Sequence, residues 1–219
     1  VGVKQGEFIE AALDLANAGD KTYNIEFITG DPGDNNINFF FDGAISVLQP
    51  YLDAGTLVCP SGQVDKMDVA TANWATDAAQ ARFETILGSY YADGTQLDAV
   101  LCSNDSTALG VENALAASYT GEYPVITGQD CDVANTINMA KGLVEMVDAI
   151  MKVSEPPVND TETYDNGTGV IPSFLCEPVA CTPDMIQELL IDSGYYTAEQ
   201  LGMDAAPAEE VAPQLIGVA

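Results

Sequence analysis

Positive charge is scarce in this sequence. Its 219 residues include six lysines and arginines against 34 aspartates and glutamates, which gives a formal net charge of −28. Nucleic-acid phosphates and anionic membranes are bound by basic surfaces, so this charge argues against both partners. The sequence also contains no run of 18 apolar residues. We therefore expect no nucleic-acid partner and no segment that inserts directly into a membrane.

Histidine is absent altogether, so the chain lacks the commonest general base and the commonest metal ligand. The five cysteines form neither a Cys-x-x-Cys pair nor a zinc-ligand spacing. The phosphate-binding signatures GxGxxG and GK[ST] are missing too. We therefore expect no enzyme activity, no cofactor and no metal site. Cys176 and Cys181 could close a small disulfide loop, but geometry decides whether such a bridge forms.

Strand-like apolar runs alternate four times with helical patterns, which favours an α/β fold. Such alternation predicts a doubly wound parallel sheet with helices on both faces, in three αβα layers. The predicted strands are 23–29, 56–59, the apolar part of 97–105 and the run from 124, and the predicted helices are 5–18, 36–54, 70–91 and 106–117.

The alternation becomes irregular after residue 130. We predict a short helix over 132–141 and a second, amphipathic helix over 143–152. A loop rich in proline, asparagine and glycine begins at Glu155, a strand follows over 170–175, and a helix follows over 183–193. The tail from residue 204 is rich in alanine, proline and glutamate, a composition that predicts disorder.

Polar side chains follow two of the predicted strands. Asn104 and Asp105 end the stretch 97–105, and Asp130 ends the stretch 124–130. Ligands of open α/β sheets bind at the carboxyl ends of the strands, so these groups predict a site for a polar, uncharged ligand. The same residues could instead serve as helix N-caps, and the two roles are compatible. A pairing of Asp105 with Asp130 as acid and base is the nearest catalytic hypothesis, but nothing positions a second reactive group.

Trp74 is the only tryptophan. It lies near the start of the predicted helix 70–91, at the same edge of the sheet. It could be a core residue, or it could present a flat apolar platform to a sugar ring. Partial stacking on such a platform is worth about 1–3 kcal/mol at roughly 25 cal/mol per Å².

Six stretches together resemble one family, the periplasmic or lipid-anchored monosaccharide-binding proteins of ABC importers. The likeness is to the multiple-sugar-binding type, which handles galactose, glucose, xylose or arabinose. The stretches are Gln5-Gly-Glu, Asp34-Asn-Asn-Ile-Asn-Phe-Phe-Phe-Asp-Gly-Ala, Trp74 with the following Ala-Ala-Gln-Ala-Arg, Ser103-Asn-Asp, Gly128-Gln-Asp and Val158-Asn-Asp-Thr-Glu-Thr-Tyr. The resemblance implies that Trp74 stacks on a pyranose, that Asn104 and Asp130 bind its hydroxyls, and that Asp105 supports the neighbouring loop.

The resemblance also implies a division of the chain. Residues 1–141 and 170–203 match the second sugar-binding lobe, residues 142–169 a remnant first-lobe helix and crossover loop, and residues 204–219 a disordered tail. The family's first lobe and one hinge segment find no match, so the chain is expected to be truncated. Because half of the sugar contacts would then be missing, we expect the chain to bind sugar weakly or not at all.

The expected function is that of a substrate-binding component, which closes on a monosaccharide and presents it to an ABC permease for import or chemotaxis. The location implied is periplasmic, or extracellular with a lipid anchor. The alternative is the effector-binding domain of a LacI-type transcription regulator, which shares the fold. The strong acidity and the missing DNA-binding headpiece count against that alternative.

Overall fold

A single sheet organises the chain. The computed structural model describes residues 1–140, 146–150 and 179–203. Within these ranges six strands pair in the spatial order β2-β1-β3-β4-β5-β6. β1 to β5 run parallel, and β6 runs antiparallel to β5. The strands are β1 (Tyr23–Ile28), β2 (Leu57–Val58), β3 (Ala99–Cys102), β4 (Val125–Thr127), β5 (Met146–Ile150) and β6 (Val179–Cys181).

Helices cover both faces of this sheet. α1 and α2 share one hydrophobic core with alternate strand residues, for example Phe27 and Leu101. α3, α4 and α5 share a second core with the intervening strand residues, for example Ile28 and Val100. The helices are α1 (Gly2–Ala12), α2 (Asn36–Ala54), α3 (Thr76–Tyr90), α4 (Asp105–Ser118) and α5 (Val133–Ala140). Strands buried on both faces read as continuous apolar runs, and the predicted three-layer α/β fold is confirmed.

α2 shows how local sequence sets an element. Its buried residues recur at helical spacing, and they are Ile37, Phe41, Ala44 and Leu48. The last three belong to the first core. The Asp34 carboxylate accepts a hydrogen bond from the Asn36 amide at 2.9 Å, just where the helix begins. Gly55 ends the helix in a left-handed conformation with φ 75°. The predicted span 36–54 is therefore confirmed.

α3 and α4 approach each other closely. A Cβ placed on Gly110 would lie 2.4 Å from the Thr76 carbonyl oxygen and 2.8 Å from the Ala79 side chain. Glycine at this position of α4 therefore lets the two helix backbones meet.

One predicted helix is wrong. Over the predicted helix 143–152, the described residues 146–150 form strand β5. This strand pairs with β4 on one side, where Ile126 is opposite Met146, and with β6 on the other. A five-residue segment with four apolar residues fits either period, and backbone hydrogen bonding on both sides decides for the strand. The partition of the chain into 1–141, 142–169, 170–203 and 204–219 stays a prediction, and the strand 170–175, the tail from 204 and Cys176 lie outside the described residues.

Two further predicted helices differ from the structure, one in its first residue and the other in its type. The helix predicted over 70–91 starts only at Thr76, because Asn73 and Trp74 have left-handed backbones, with φ 55° and 54°, that no right-handed helix accommodates. The helix predicted over 183–193 consists of a 310 turn, Pro183–Met185, and a π-helical turn, Gln187–Ile191. Among the described residues, none of the helices is both long and apolar enough to span a bilayer.

Candidate functional site

A cavity of about 460 Å³ lies at the carboxyl ends of β1, β3 and β4. The chain order of the strands reverses between β1 and β3, which is where open α/β sheets hold ligands. Its lining comes from the loops after these strands, from the first turns of α2 and from the segment before α3. The lining residues are Val1, Asp34, Asn36, Phe40, Trp74, Asn104, Gln129 and Asp130. Trp74, Asn104 and Asp130 thus share one cavity.

The Trp74 side chain is half-buried at the cavity wall. Its indole Nε1 donates a hydrogen bond to Asp34 Oδ2 at 3.1 Å. The Phe40 ring meets it nearly edge-on, with centroids 6.1 Å apart and an interplanar angle of 67°. A Cβ on Gly30 would lie 2.1 Å from the indole, so the ring rests against the backbone at the end of β1. The indole is therefore part of the site wall and lies outside both hydrophobic cores.

The left-handed segment that carries Trp74 is tied to the loop after β1. Asp31 Oδ2 accepts a hydrogen bond from the Asn73 amide at 2.6 Å, and Asp31 Oδ1 accepts one from the Gly33 amide at 2.7 Å. These two backbone hydrogen bonds, that from Asn73 first, lower the pKa of Asp31. The Trp74 amide also donates to the Thr71 carbonyl at 3.1 Å. Contacts within the loops thus stabilise a backbone conformation that non-glycine residues seldom adopt.

Asn104 caps α4 and also lines the cavity, while its predicted role in ligand binding stays a prediction. As the N-cap of α4, its Oδ1 accepts hydrogen bonds from the Thr107 amide at 3.1 Å and from the Thr107 hydroxyl at 2.9 Å. Its Nδ2 donates to Asp130 Oδ2 at 3.4 Å. The cap fixes the amide plane, and the same side chain lines the cavity.

Asp130 adds a carboxylate to the cavity lining. Its backbone has φ 109°, outside the regions that L-residues favour. Partial burial raises the pKa of its carboxyl, and the hydrogen bond from Asn104 opposes that rise. A carboxylate here can accept hydrogen bonds from neutral hydroxyl groups.

Asp105 occupies a different position from the other three predicted site residues. It is fully buried and does not belong to the cavity lining. Its Oδ2 accepts a hydrogen bond from the Asp132 amide at 2.6 Å, and its own amide donates to the Gln129 carbonyl at 2.9 Å. Asp105 thus joins the loop after β3 to the loop after β4, and its supporting role in a sugar site stays a prediction. The hypothesis of an Asp105–Asp130 acid–base pair gains no support from this arrangement.

Sequence reasoning missed the contribution of the loop after β1. Asp34 and Asn36 follow a parallel strand in the same way as Asn104 and Asp130 do, and that signal was available. In the sequence they belong to the start of the predicted helix 36–54 and to one stretch of the family resemblance, and neither pattern predicts that they line the cavity. Phe40 gave no such signal, because an aromatic residue at helical spacing looks like a core residue.

The Gln5 side chain of α1 is hydrogen-bonded to the carboxyl ends of β3 and β4. Its side chain is buried, and Nε2 donates to the Cys102 carbonyl at 3.1 Å and to the Gly128 carbonyl at 2.9 Å. These carbonyls lie just before the residues that β3 and β4 deliver to the site. The Ser103 hydroxyl is likewise hydrogen-bonded to the Thr29 hydroxyl at 2.9 Å. Within the described ranges, no group of three Cys, Asp or Glu side chains could hold a metal ion.

Comparison with known proteins gives relatives of one kind. The multiple sugar-binding periplasmic receptor ChvE of Rhizobium radiobacter is 40% identical over 221 residues, which cover 92% of this chain and 62% of that protein. The D-xylose-binding periplasmic protein of Escherichia coli is 29% identical, with 90% and 61% covered. The chain thus spans less than two thirds of the length of these relatives. Their names describe sugar-binding periplasmic proteins and lend no support to the LacI-type alternative.

Solved structures agree with the sequence relatives. An ABC transporter solute-binding protein from Clostridium phytofermentans, determined with bound β-D-glucose, superposes with a TM-score of 0.82 at 54% identity, covering 91% of this chain and 66% of that one. A carbohydrate transporter solute-binding protein from Chloroflexus aurantiacus, in complex with D-glucose, gives a TM-score of 0.74 at 26% identity, with the same coverage. The model of the periplasmic binding protein domain family matches residues 1–152, more than half of the chain. The chain therefore belongs to the periplasmic binding protein domain family.

Proposed function

We propose that this chain is part of the substrate-binding component of a sugar ABC importer, and that it contacts a monosaccharide in the 460 Å³ cavity. The observation that carries the proposal is the convergence of Trp74, Asn104 and Asp130 on that cavity. The relatives named above add support, since their names describe sugar-binding proteins and both solved structures hold glucose.

The cavity has the chemistry that a pyranose requires. One face of a pyranose is rich in C–H groups and packs against an aromatic ring, while its hydroxyls need donors and acceptors around the rim. Trp74 supplies the ring, and partial burial of an indole face is worth about 1–3 kcal/mol at roughly 25 cal/mol per Å². Asn104 and Asp130 supply the polar groups, and a hydrogen bond to a charged group contributes about 1.5–3 kcal/mol. Asp130 suits a neutral hydroxyl better than an anionic substituent, which it would repel.

The transport step that we propose is closure of two lobes around the sugar, followed by recognition of the closed form by an ABC permease. The described residues supply one wall of such a site, formed by the loops of a single sheet. A sugar held on one wall loses the contacts of the other, so we expect the 219-residue chain to bind monosaccharides weakly. We place the protein in the periplasm by analogy with its relatives, and a lipid anchor remains part of the proposal.

Titration calorimetry and ligand-observed NMR with glucose, galactose, xylose and arabinose test the proposal. We expect weak, saturable binding of at least one sugar that Trp74→Ala abolishes. Tyr90→Ala is the matched control, because Tyr90 is an exposed aromatic residue at the end of α3 and does not line the cavity. Micromolar affinity would refute the expected weakness. No response to any of the four sugars, or equal loss in both variants, would refute the binding site.

A further inference from the structure

We propose that Asp34 is a positioning residue that fixes the orientation of the Trp74 indole before any ligand arrives. This inference rests on the proposed function, because it concerns the stacking wall of the same cavity. Asp34, Gly30 and Phe40 surround the indole on three sides, and we call these three residues the indole seat.

The Asp34 carboxylate is hydrogen-bonded both to the indole and to the backbone at the start of α2. Its Oδ2 accepts the hydrogen bond from Trp74 Nε1 at 3.1 Å, and its Oδ1 accepts one from the Asn36 amide at 2.9 Å. An indole has a single N–H donor, so this one contact fixes the rotation of the ring within its plane. The Asn36 amide belongs to the first residue of α2, which ties the carboxylate to a long helix.

Gly30 determines which face of the indole is free. A Cβ on Gly30 would lie at nearly equal distances, 2.1 to 2.2 Å, from indole atoms Cδ2, Cε3 and Cε2. A point that is equally near to three ring atoms lies over the face of the ring. The backbone at Gly30 therefore covers one indole face, and the Phe40 ring meets the indole at 67°. Because Gly30 covers one face, the indole can offer only the opposite face to a ligand in the cavity that Trp74 lines.

The backbone alone would not hold this arrangement. Trp74 has φ 54° and follows Asn73 with φ 55°, a pair of conformations that L-residues rarely adopt. The Asp31 carboxylate holds the Asn73 amide, and the Asp34 carboxylate holds the Trp74 side chain. Asp31 therefore stabilises the left-handed backbone, and Asp34 stabilises the orientation of the indole ring. All of these contacts form without a sugar. A preformed platform lowers the ordering cost of binding.

Because Trp74 is the only tryptophan, its fluorescence and near-UV circular dichroism report on the seat directly. We would compare the ligand-free wild type with Asp34→Ala and Asp34→Asn, and with Asp53→Ala, which removes an exposed carboxylate of α2 that does not line the cavity. We expect Asp34→Ala to increase acrylamide quenching and to weaken the tryptophan dichroism. Asp34→Asn should restore both signals, since its amide oxygen can accept the same hydrogen bond. Asp53→Ala should change neither.

Sugar affinity gives the second measurement. We expect Asp34→Ala to weaken binding about 5- to 30-fold and Asp34→Asn to weaken it less. Gly30→Ala provides an independent displacement of the ring and should also mobilise the indole. An unchanged indole signal in Asp34→Ala overturns the inference, and so does weaker sugar binding with an unmoved indole, because Asp34 would then act as a direct ligand group. A mobilised indole in a protein that binds no sugar supports the seat and refutes the proposed function alone.

Discussion

A buried carboxyl group on α4 should make the stability of this protein depend on pH. Glu112 is 5% exposed. Its Oε2 accepts a hydrogen bond from Asn138 Nδ2 at 2.6 Å, while its Oε1 has no hydrogen-bond partner among the described residues. Burial raises the pKa of Glu112 from 4.5 to about 7, and the Asn138 hydrogen bond opposes the rise.

The sign and size of the effect follow from linkage. Between pH 4.5 and about pH 7 the Glu112 carboxyl is mostly protonated in the folded chain and mostly ionised in the unfolded chain. Stability therefore falls as the pH rises through this interval. The full shift corresponds to about 3 kcal/mol. Glu112→Gln keeps a neutral side chain at every pH, so the variant should be more stable than wild type by about 3 kcal/mol above about pH 8 and nearly equal to it at about pH 4.5.

Urea unfolding at a series of pH values measures this difference. The net charge of −28 also changes stability with pH, so the difference between wild type and variant is the informative quantity. Glu84→Gln is the matched control, because it removes an exposed carboxylate on α3 and should leave the pH profile parallel to that of wild type. Parallel profiles for wild type and Glu112→Gln would refute the reasoning.

Three substitutions test the packing that supports the site, each by thermal or urea unfolding. Gly110→Ala should cost about 1–3 kcal/mol because its Cβ would lie 2.4 Å from a carbonyl oxygen of α3; Gly88→Ala, with nothing within 4 Å, is the control and should be neutral or stabilising. Tyr91→Phe should cost about 1–3 kcal/mol, since the hydroxyl donates to the buried Glu26 carboxylate at 2.9 Å. Gln5→Leu should cost about 1–3 kcal/mol by leaving buried carbonyls unpaired. No change in stability for any of them would contradict the corresponding contact.

Local signals were sufficient for much of the fold. α2 was predicted over its full span because both of its ends carry their own chemistry, an aspartate before the helix and Gly55 after it. The start of α3 was not, because the left-handed pair before it depends on Asp31, about forty residues away in sequence. The sequence predicts a helix where β5 lies, because strand pairing with β4 and β6 is a tertiary property that so short a segment does not reveal.

Some residues of the candidate site can likewise be predicted from the sequence, and others cannot. The rule that ligands meet strand ends placed Asn104 and Asp130 at one edge, and the structure puts them beside one cavity with Trp74. The same rule applied to β1 would have added Asp34. Phe40 could not be found, because only the packing of α2 against the sheet shows that its ring reaches the indole. The roles of these residues in sugar binding remain a prediction.

The side-chain amide of Gln5 donates hydrogen bonds to two carbonyls that lie 97 and 123 residues further along the chain. α1 contributes no side chain to the cavity lining, yet one of its nitrogens bridges the two strands that deliver Asn104 and Asp130. Fraying of this helix would release both strand ends in a single event. The cavity wall therefore depends on a helix whose own residues 2–12 do not line it, and hydrogen exchange in α1 should report how often that wall opens.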